Sequence, residues 1–503
     1  MSATPPLPSY EELVALVCEL RSEVTAARAE IAELRAENVT LRAENAHLRA
    51  ENAHLRAENE ELKRRLGMNS KNSSKPPSSD GLAKPVSLRK PSGRGPGKPK
   101  GGVGGALLQV ADPDEVVVHA PAACQGCAGD LAGAAVVSVE RRQVFDLPET
   151  RLRVREHCLE RRRCACGQVT AAEAPTGAAA PAQYGPGVKS LAVYLLTRQH
   201  LPYERCAELF ADVLGAPIAT STLMEWTGQA AEAVVPHTAV VRAQLLECDV
   251  VGFDETGTRV AGRTCWVHVA CTRSLTLYLV HLKRGVAAFE STGVLPAFTG
   301  IAVHDGWKPY KTYTGAGHAL CNAHHLRELA AVTQNAPAER PEAWAADLAD
   351  LLVTTWDEIK EIRTAHPGAT GFTVDALEQL TARYEDIIAA GRMLHPAREP
   401  GAPRVKRPKA ANLLDRLDAE RDQVLRFAFD WRVPFDNNGS EQMIRMAKIQ
   451  QKISGGWRTA RGAERFFAVR GYLSTAAKQG KNLLDTITRL FDGRGAWIPA
   501  PAG

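Results

Sequence analysis

Val-Val-Gly-Phe-Asp254-Glu-Thr and Ile-Ala-Val-His-Asp305-Gly-Trp are short apolar runs that each end in an aspartate, and a third carboxylate, Glu441, follows far downstream in Asp-Asn-Asn-Gly-Ser-Glu. Carboxylates gathered from separated elements are suited to holding divalent cations through oxygen. Three anionic ligands with no histidine or nearby cysteine pair among them favour magnesium or manganese over zinc. Two such ions activate a water or hydroxyl and stabilise the leaving oxygen of a phosphodiester, so the chemistry implied is that of a DNA strand. A single aspartate after a strand is a common turn residue. The weight rests on the three together.

Around Glu441 the residue types fit a polyanion. Arg445 lies one helical turn beyond it and shares its face, where it can hold a phosphate or form an ordinary i, i+4 ion pair. Lys448, Lys452 and Arg458 extend a basic run interleaved with Trp457, Phe466, Phe467 and Tyr472. Basic and aromatic side chains together serve backbone contact and base stacking, although part of this aromatic set belongs to a core. Asn437 and Asn438, just before Glu441, join the DNA-contacting candidates. Cys321-Asn-Ala-His324 has metal-ligand spacing, yet no second pair lies near it in sequence. A structural or phosphate-positioning role is the expectation there.

The elements that must position these groups form a multidomain α/β chain. Asp249 to Asp254, Thr264 to Cys271 and Leu275 to Leu282 predict a three-strand meander, then a helix over Val286 to Phe298 and a fourth strand over Ile301 to His304. That order is the start of a ribonuclease H-like core, in which the first and fourth strands are neighbours and bring Asp254 and Asp305 to one edge. We assign residues 246–330 to the first part of this core and 331–430 to an all-α insertion. Residues 431–480 complete the core with the Glu441 helix, and 481–503 form a C-terminal segment.

Upstream, residues 10–66 carry a heptad with leucine at d (Leu13, Leu20, Leu34, Leu41, Leu48, Leu55, Leu62) and asparagine at four a positions, Asn38 to Asn59. Glutamates at g and basic residues at e complete the pattern of a parallel coiled coil, expected to be a dimer. Residues 67–118 are a basic Pro/Ser/Gly linker, a cationic tether for phosphates. Residues 119–172 hold Cys124-Gln-Gly-Cys127 and Cys164-Ala-Cys166, with alternating runs between them. This predicts a zinc-ribbon-like module, with His157 and Cys158 as alternative ligands. Residues 173–245 are expected to be helical, and Pro202 to Gln229 has a helix-turn-helix outline. In that outline Glu204 to Leu214 is one helix, Gly215 the turn, and Thr222-Leu-Met-Glu225 a capping-box start for the next. Packing and DNA reading fit that outline about equally.

The 503 residues exceed one ordinary core, and the net charge of +5 is only mildly basic. The N-terminus has no charged-then-apolar leader, and no run is long enough to span a bilayer. We therefore expect no membrane partner and a cytoplasmic, nucleoid-associated protein in which clustered cysteines serve as metal ligands.

The chain resembles the DDE transposases of the insertion sequence 66 family over nearly its whole length. The residues that carry the resemblance are Asn-Ser-Ser-Lys-Pro-Pro-Ser-Ser-Asp after the heptads, the cysteine pairs, Asp-Glu-Thr at 254–256 and His-Asp-Gly-Trp at 304–307. Cys-x-x-His at 321–324 and Asp-Asn-Asn at 436–438 before Glu441 complete the order. The resemblance implies that Asp254, Asp305 and Glu441 are the metal-binding triad of a ribonuclease H-like fold, and that the activity is cut-and-join transposition at terminal inverted repeats. The partner implied is DNA, as terminal repeats and target duplex; the heptads add a homodimer or higher homo-oligomer, and a need for helper proteins of the same element is left open by the sequence. Gln442 stands where the family commonly has arginine, and the second cysteine pair is one residue shorter than the first. Alternatives from other classes are a non-catalytic dimeric DNA-binding regulator or inactive relic, and a metal-dependent nuclease without strand transfer.

Overall fold

A computed structural model describes residues 9–66, 107–148, 150–175, 177–337, 339–398 and 407–500. The basic stretch of the linker, 67–106, lies outside the described residues. The chain divides into two compact units, one of residues 1–86, 325–350 and 390–413, the other of 87–324, 351–389 and 414–503.

In chain order, a helix α1 (Tyr10–Leu66) is followed by a small hairpin, β1 (Arg161–Arg163) and β2 (Val169–Ala171). Four helices come next: α2 (Pro186–Thr197), α3 (Tyr203–Leu214), α4 (Thr220–Ala233) and α5 (Val235–Leu246). The meander β3 (Val250–Val260), β4 (Arg263–Cys271) and β5 (Thr276–His281) leads through α6 (Val286–Thr292) to β6 (Ile301–His304) and β7 (Gly317–Leu320). Helices α7 (Asn322–Gln334), α8 (Ala343–Ala365), α9 (Val374–Leu394), α10 (Lys409–Ala419), α11 (Arg421–Val424) and α12 (Arg426–Phe429) follow. The chain ends with α13 (Asn438–Ser454), α14 (Ala460–Lys478) and α15 (Leu483–Thr488). No helix among the described residues is long and apolar enough to cross a membrane.

Helix α1 starts where Ser9 and Glu12 cap each other: the Ser9 N–H donates to Glu12 at 2.7 Å and the Glu12 N–H to the Ser9 hydroxyl at 3.3 Å. Its d leucines remain half exposed, from 45% at Leu13 to 56% at Leu34. Elsewhere in the same unit, buried Glu342 accepts from the Trp344 indole at 2.6 Å and lies 2.8 Å from the His395 ring.

The larger unit is built on a five-stranded sheet ordered β5-β4-β3-β6-β7, with β3, β6 and β7 parallel and β3, β4 and β5 antiparallel. The predicted strands are present, with one correction and one addition. Strand β3 runs six residues past Asp254, which therefore sits mid-strand rather than at a strand end. The extension pairs with β4 as far as Val260 opposite Arg263. It turns through Ala261 and Gly262, both at positive φ, the two-residue geometry that fits the twist of a hairpin. The additional strand is β7.

Alternation along β3 sorts its side chains between two layers. Val251 and Phe253 face a core with Phe289, Phe298 and Tyr310, whereas Val267, Val269 and Tyr278 of β4 and β5 pack on Ile444, Ala447, Phe466 and Phe467 of α13 and α14. A separate helical core joins α2, α3, α4, α14 and α15 around Phe210, Leu223, Trp226 and Tyr472. The helix-turn-helix outline is present as helices α3 and α4, with Gly215 at φ 60° ending the first. The second begins at Thr220 behind Ala219, two residues earlier than the predicted cap, so Thr222 lies inside its first turn.

The alternating runs between the cysteine pairs, Val137 to Phe145 and Leu152 to His157, form no strand among the described residues. An antiparallel bridge joins Ala123 and Asp130 around the first pair, and β1 and β2 pair on either side of Cys164 and Cys166.

Burial makes stability depend on pH. His268, 4% exposed, has its pKa pushed down to about 4 chiefly by burial. A depressed histidine contributes stability that is complete above its unfolded pKa, near 6.5, and is lost as pH falls toward about 4, at about 1.4 kcal/mol per pH unit. Urea denaturation at pH 7, 6 and 5 is expected to show a shallower acid loss in His268→Leu than in wild type.

Candidate active site

Gly252, two residues before Asp254 on the same face of β3, lets the N-terminus of α13 close on the strand. A Cβ there would collide with the Ser440 hydroxyl and approach Asn437 Oδ1 to 2.7 Å. The Asn437 amide donates to the Phe253 carbonyl at 2.7 Å and its backbone N–H to Cys321 Sγ at 3.2 Å, while Ser440 Oγ lies 3.4 Å from Cys271 Sγ. Tyr278 adds a hydrogen bond from its hydroxyl to the Met443 carbonyl at 2.9 Å. These contacts set Glu441, in the first turn of α13, against the strand bearing Asp254. Gly252→Ala is expected to cost about 1–3 kcal/mol by overpacking, measured as a lower urea midpoint with an unchanged slope.

Asp305 arrives from the neighbouring strand. The parallel register pairs Gly252 with Val303, so two further residues bring Asp254 and Asp305 level at the end of β6. Asp305 is exposed and accepts from the Trp307 N–H at 2.9 Å, which shapes the turn behind β6. The pKa of Asp254 is raised by its surroundings. Burial first, then the charges of Glu255, Glu441 and Asp305, hold its carboxyl well above the ordinary range, against one favourable hydrogen bond from the Glu255 N–H.

Several positioning residues escaped the sequence reading because they look like ordinary core. Glu255, on the opposite face of β3 from Asp254, accepts from the Tyr310 hydroxyl and pairs with Arg284 at 2.8 Å. The Arg284 guanidinium lies 4.0 Å from the Trp307 ring centroid and 5.0 Å from that of Trp266. One network thus ties the residue after Asp254 to the turn after Asp305. Behind it, His304 stacks on Tyr310 at 4.4 Å. Its Nδ1 receives the Gly306 N–H at 3.0 Å, so Nε2 carries the proton and donates to His318 Nδ1 at 2.9 Å. His318 then donates to the Tyr313 carbonyl at 3.2 Å. Both rings are neutral in this relay, in keeping with burial that lowers the pKa of each. The motif His-Asp-Gly-Trp was the available signal for this support.

The basic candidates divide. Arg445, Lys452 and Arg458 are exposed, as is Asn438, which is turned to Asp436 through its amide and N–H. Lys448 is half buried and donates to the Gly257 carbonyl, and Asn437 is 5% exposed and committed to Phe253. Asn437 and Lys448 therefore hold α13 to β3.

Among the described residues, one group of three His, Cys, Asp or Glu ligand atoms gathers within 4.8 Å: Cys321, His324 and Glu441. Cys124 with Cys127, and Cys164 with Cys166, each form a tight turn. Backbone N–H groups and the paired thiol lower the pKa of the first cysteine in each. The two turns do not bring three sulfur atoms into such a group, and Cys158 is exposed apart from them.

Two families match the sequence. Residues 11–103, which include α1 and the basic linker, match a family of unknown function, DUF6444. No curated protein matches the chain. Residues 181–465, more than half of the chain and the stretch holding Asp254, Asp305 and Glu441, match the Transposase IS66 family, and the chain belongs to that family.

Proposed function

We propose that this chain is a DDE transposase with a ribonuclease H-like core, cutting DNA at the terminal inverted repeats of its element and joining the freed 3′ end to a target. The reading is carried by the parallel β3–β6 register that brings Asp254 level with Asp305, beside a pKa of Asp254 raised by burial first and then by charges that include Glu441 and Asp305, groups more than fifty residues distant in the chain. The strand order, with its parallel β3–β6 pair at the centre, and the family membership support it.

Carboxylates that repel one another, half-buried at Asp254 and Glu441 and exposed at Asp305, fit a cation site, and an all-oxygen set fits magnesium or manganese. Asp254, Asp305 and Glu441 would hold the ions. When bound, such ions activate the attacking oxygen and stabilise the leaving one. The chain itself does the positioning: Asn437 and Ser440 hold Glu441 to β3, and Glu255, Arg284 and Trp307 brace the turn of Asp305. Exposed Arg445, Lys452, Arg458 and Asn438 offer contacts to phosphates beside the carboxylates. We assign zinc to Cys124, Cys127, Cys164 and Cys166, an assignment that requires the two cysteine turns to close on one another and is supported by the lowered thiol pKa in each turn. End recognition falls to this module with α3 and α4, and pairing of subunits to α1.

The test is incubation of labelled duplex carrying the element's ends with magnesium, comparing wild type with Asp254→Ala. Binding kept with cleavage and joining lost is the expected result. Equal products from both proteins would remove the triad, and cleavage without joining would leave a nuclease.

A further inference from the structure

Cys321 closes β7 and His324 lies in the first turn of α7, so the fold presents them together. The third member comes from α13. His324 Nδ1 is 3.7 Å from Glu441 Oε1, and one ligand atom of each residue lies within 4.8 Å of Cys321 Sγ. A separation of 3.7 Å is beyond an ordinary hydrogen bond. It does match the edge of a tetrahedron, since bonds of about 2.0–2.3 Å place ligand atoms roughly 3.3–3.8 Å apart.

The sulfur is prepared for a cation. The Asn437 N–H points at Cys321 Sγ from 3.2 Å, and the His324 N–H also favours the thiolate. Cys321 is 1% exposed, whereas the side chains of His324 and Glu441 are 30% and 26% exposed, which leaves an approach from their side. Thiolate and imidazole donors select zinc-class ions over magnesium.

We propose that Cys321, His324 and Glu441 form a site for a zinc-class divalent cation, separate from the oxygen site at Asp254 and Asp305, with a fourth position open to water or a phosphate oxygen. Binding breaks the S–H bond, the proton leaves to water, and the thiolate lone pair forms the bond to the ion. His324 would bind through a ring nitrogen lone pair, any proton on that nitrogen leaving to water, and Glu441 through a carboxylate oxygen. The consequence, which rests on the catalytic reading of Glu441, is that an ion here competes with the aspartate site for that carboxylate.

The test is a cobalt titration of the full chain carrying Cys124→Ser, Cys127→Ser, Cys164→Ser and Cys166→Ser, followed by visible absorption. One cobalt per chain, with thiolate charge-transfer and tetrahedral bands that zinc removes, is expected. Cys321→Ser should abolish the charge-transfer band, and His324→Ala should weaken binding roughly tenfold or more. Circular dichroism and a thermal melt establish that each variant is folded. Absent bands in the folded parent overturn the site, as do bands unchanged by both substitutions. Magnesium-dependent cleavage, followed on the wild-type protein with its four ribbon cysteines intact, separates the two readings. Bands in the parent with no cleavage by wild type sustain this site while removing the catalytic one, and wild-type cleavage without bands in the parent removes this site alone.

Discussion

Asp254→Asn is expected to lower magnesium-dependent strand cleavage by roughly a thousandfold while raising the thermal stability of the ion-free protein. The first part follows from losing one of three ligands, because several kcal/mol of charge stabilisation at about 1.4 kcal/mol per tenfold in rate reaches that size. The second part follows from sign. Burial and like charges raise the pKa of Asp254, so its contribution to folding is favourable below its ordinary pKa and is lost as pH rises through the raised value. At neutral pH, above its ordinary pKa, this carboxyl opposes folding whether it is ionised among like charges or held protonated, and the neutral amide removes that opposition. Differential scanning fluorimetry with and without magnesium measures both: wild type gains stability on adding the ion, and Asp254→Asn starts higher and gains little. A variant that melts lower without magnesium and still responds to it would show that this carboxylate neither repels its neighbours nor holds a cation.

Removal of residues 1–66 is expected to dissociate the protein to monomers and to abolish joint processing of two element ends. Seven leucines at d, each close to half exposed on an isolated α1, form an apolar stripe along 57 residues of helix. Burying such a stripe against a second copy gains about 25 cal/mol per Å2 of apolar surface removed from water, and seven leucines on each helix make this a strong association. Asn45 and Asn52 fold their amides back to the carbonyls of Leu41 and Leu48, each at 3.1 Å. The same side chains are available across a seam. Sedimentation of the truncated and full-length proteins decides the point, and equal masses would leave the heptads without this role.

Strand positions were legible because the apolar runs of β4, β5 and β6 are short, β-branched and bounded by turn residues. The extent of β3 was not. Glu255-Thr-Gly-Thr-Arg looks like a polar exit from the sheet, and only Tyr310 and Arg284, from other elements, make a buried glutamate tolerable there. The three carboxylates could be picked out by residue type, whereas the contact that brings α13 to β3 is invisible in sequence. It depends on the missing side chain of Gly252 and on amide and hydroxyl groups that look like surface polar residues. Cys321 and His324 have metal-ligand spacing, yet the sequence pointed to a structural or phosphate-positioning role, because the third group beside them comes from α13, beyond the reach of any local motif.

Between Asn322 and Phe435 the chain makes a long helical excursion, yet the two residues meet. The Asn322 N–H donates to the Phe435 carbonyl at 3.1 Å, and the Asn322 amide to the Val424 carbonyl at 3.0 Å. Because departure and return are stitched together at the sheet, the excursion behaves as cargo clipped to a fixed anchor. Lengthening, trimming or nicking it away from the clip need not change the spacing of the acidic groups, which makes it a tolerant attachment point for fused sequence.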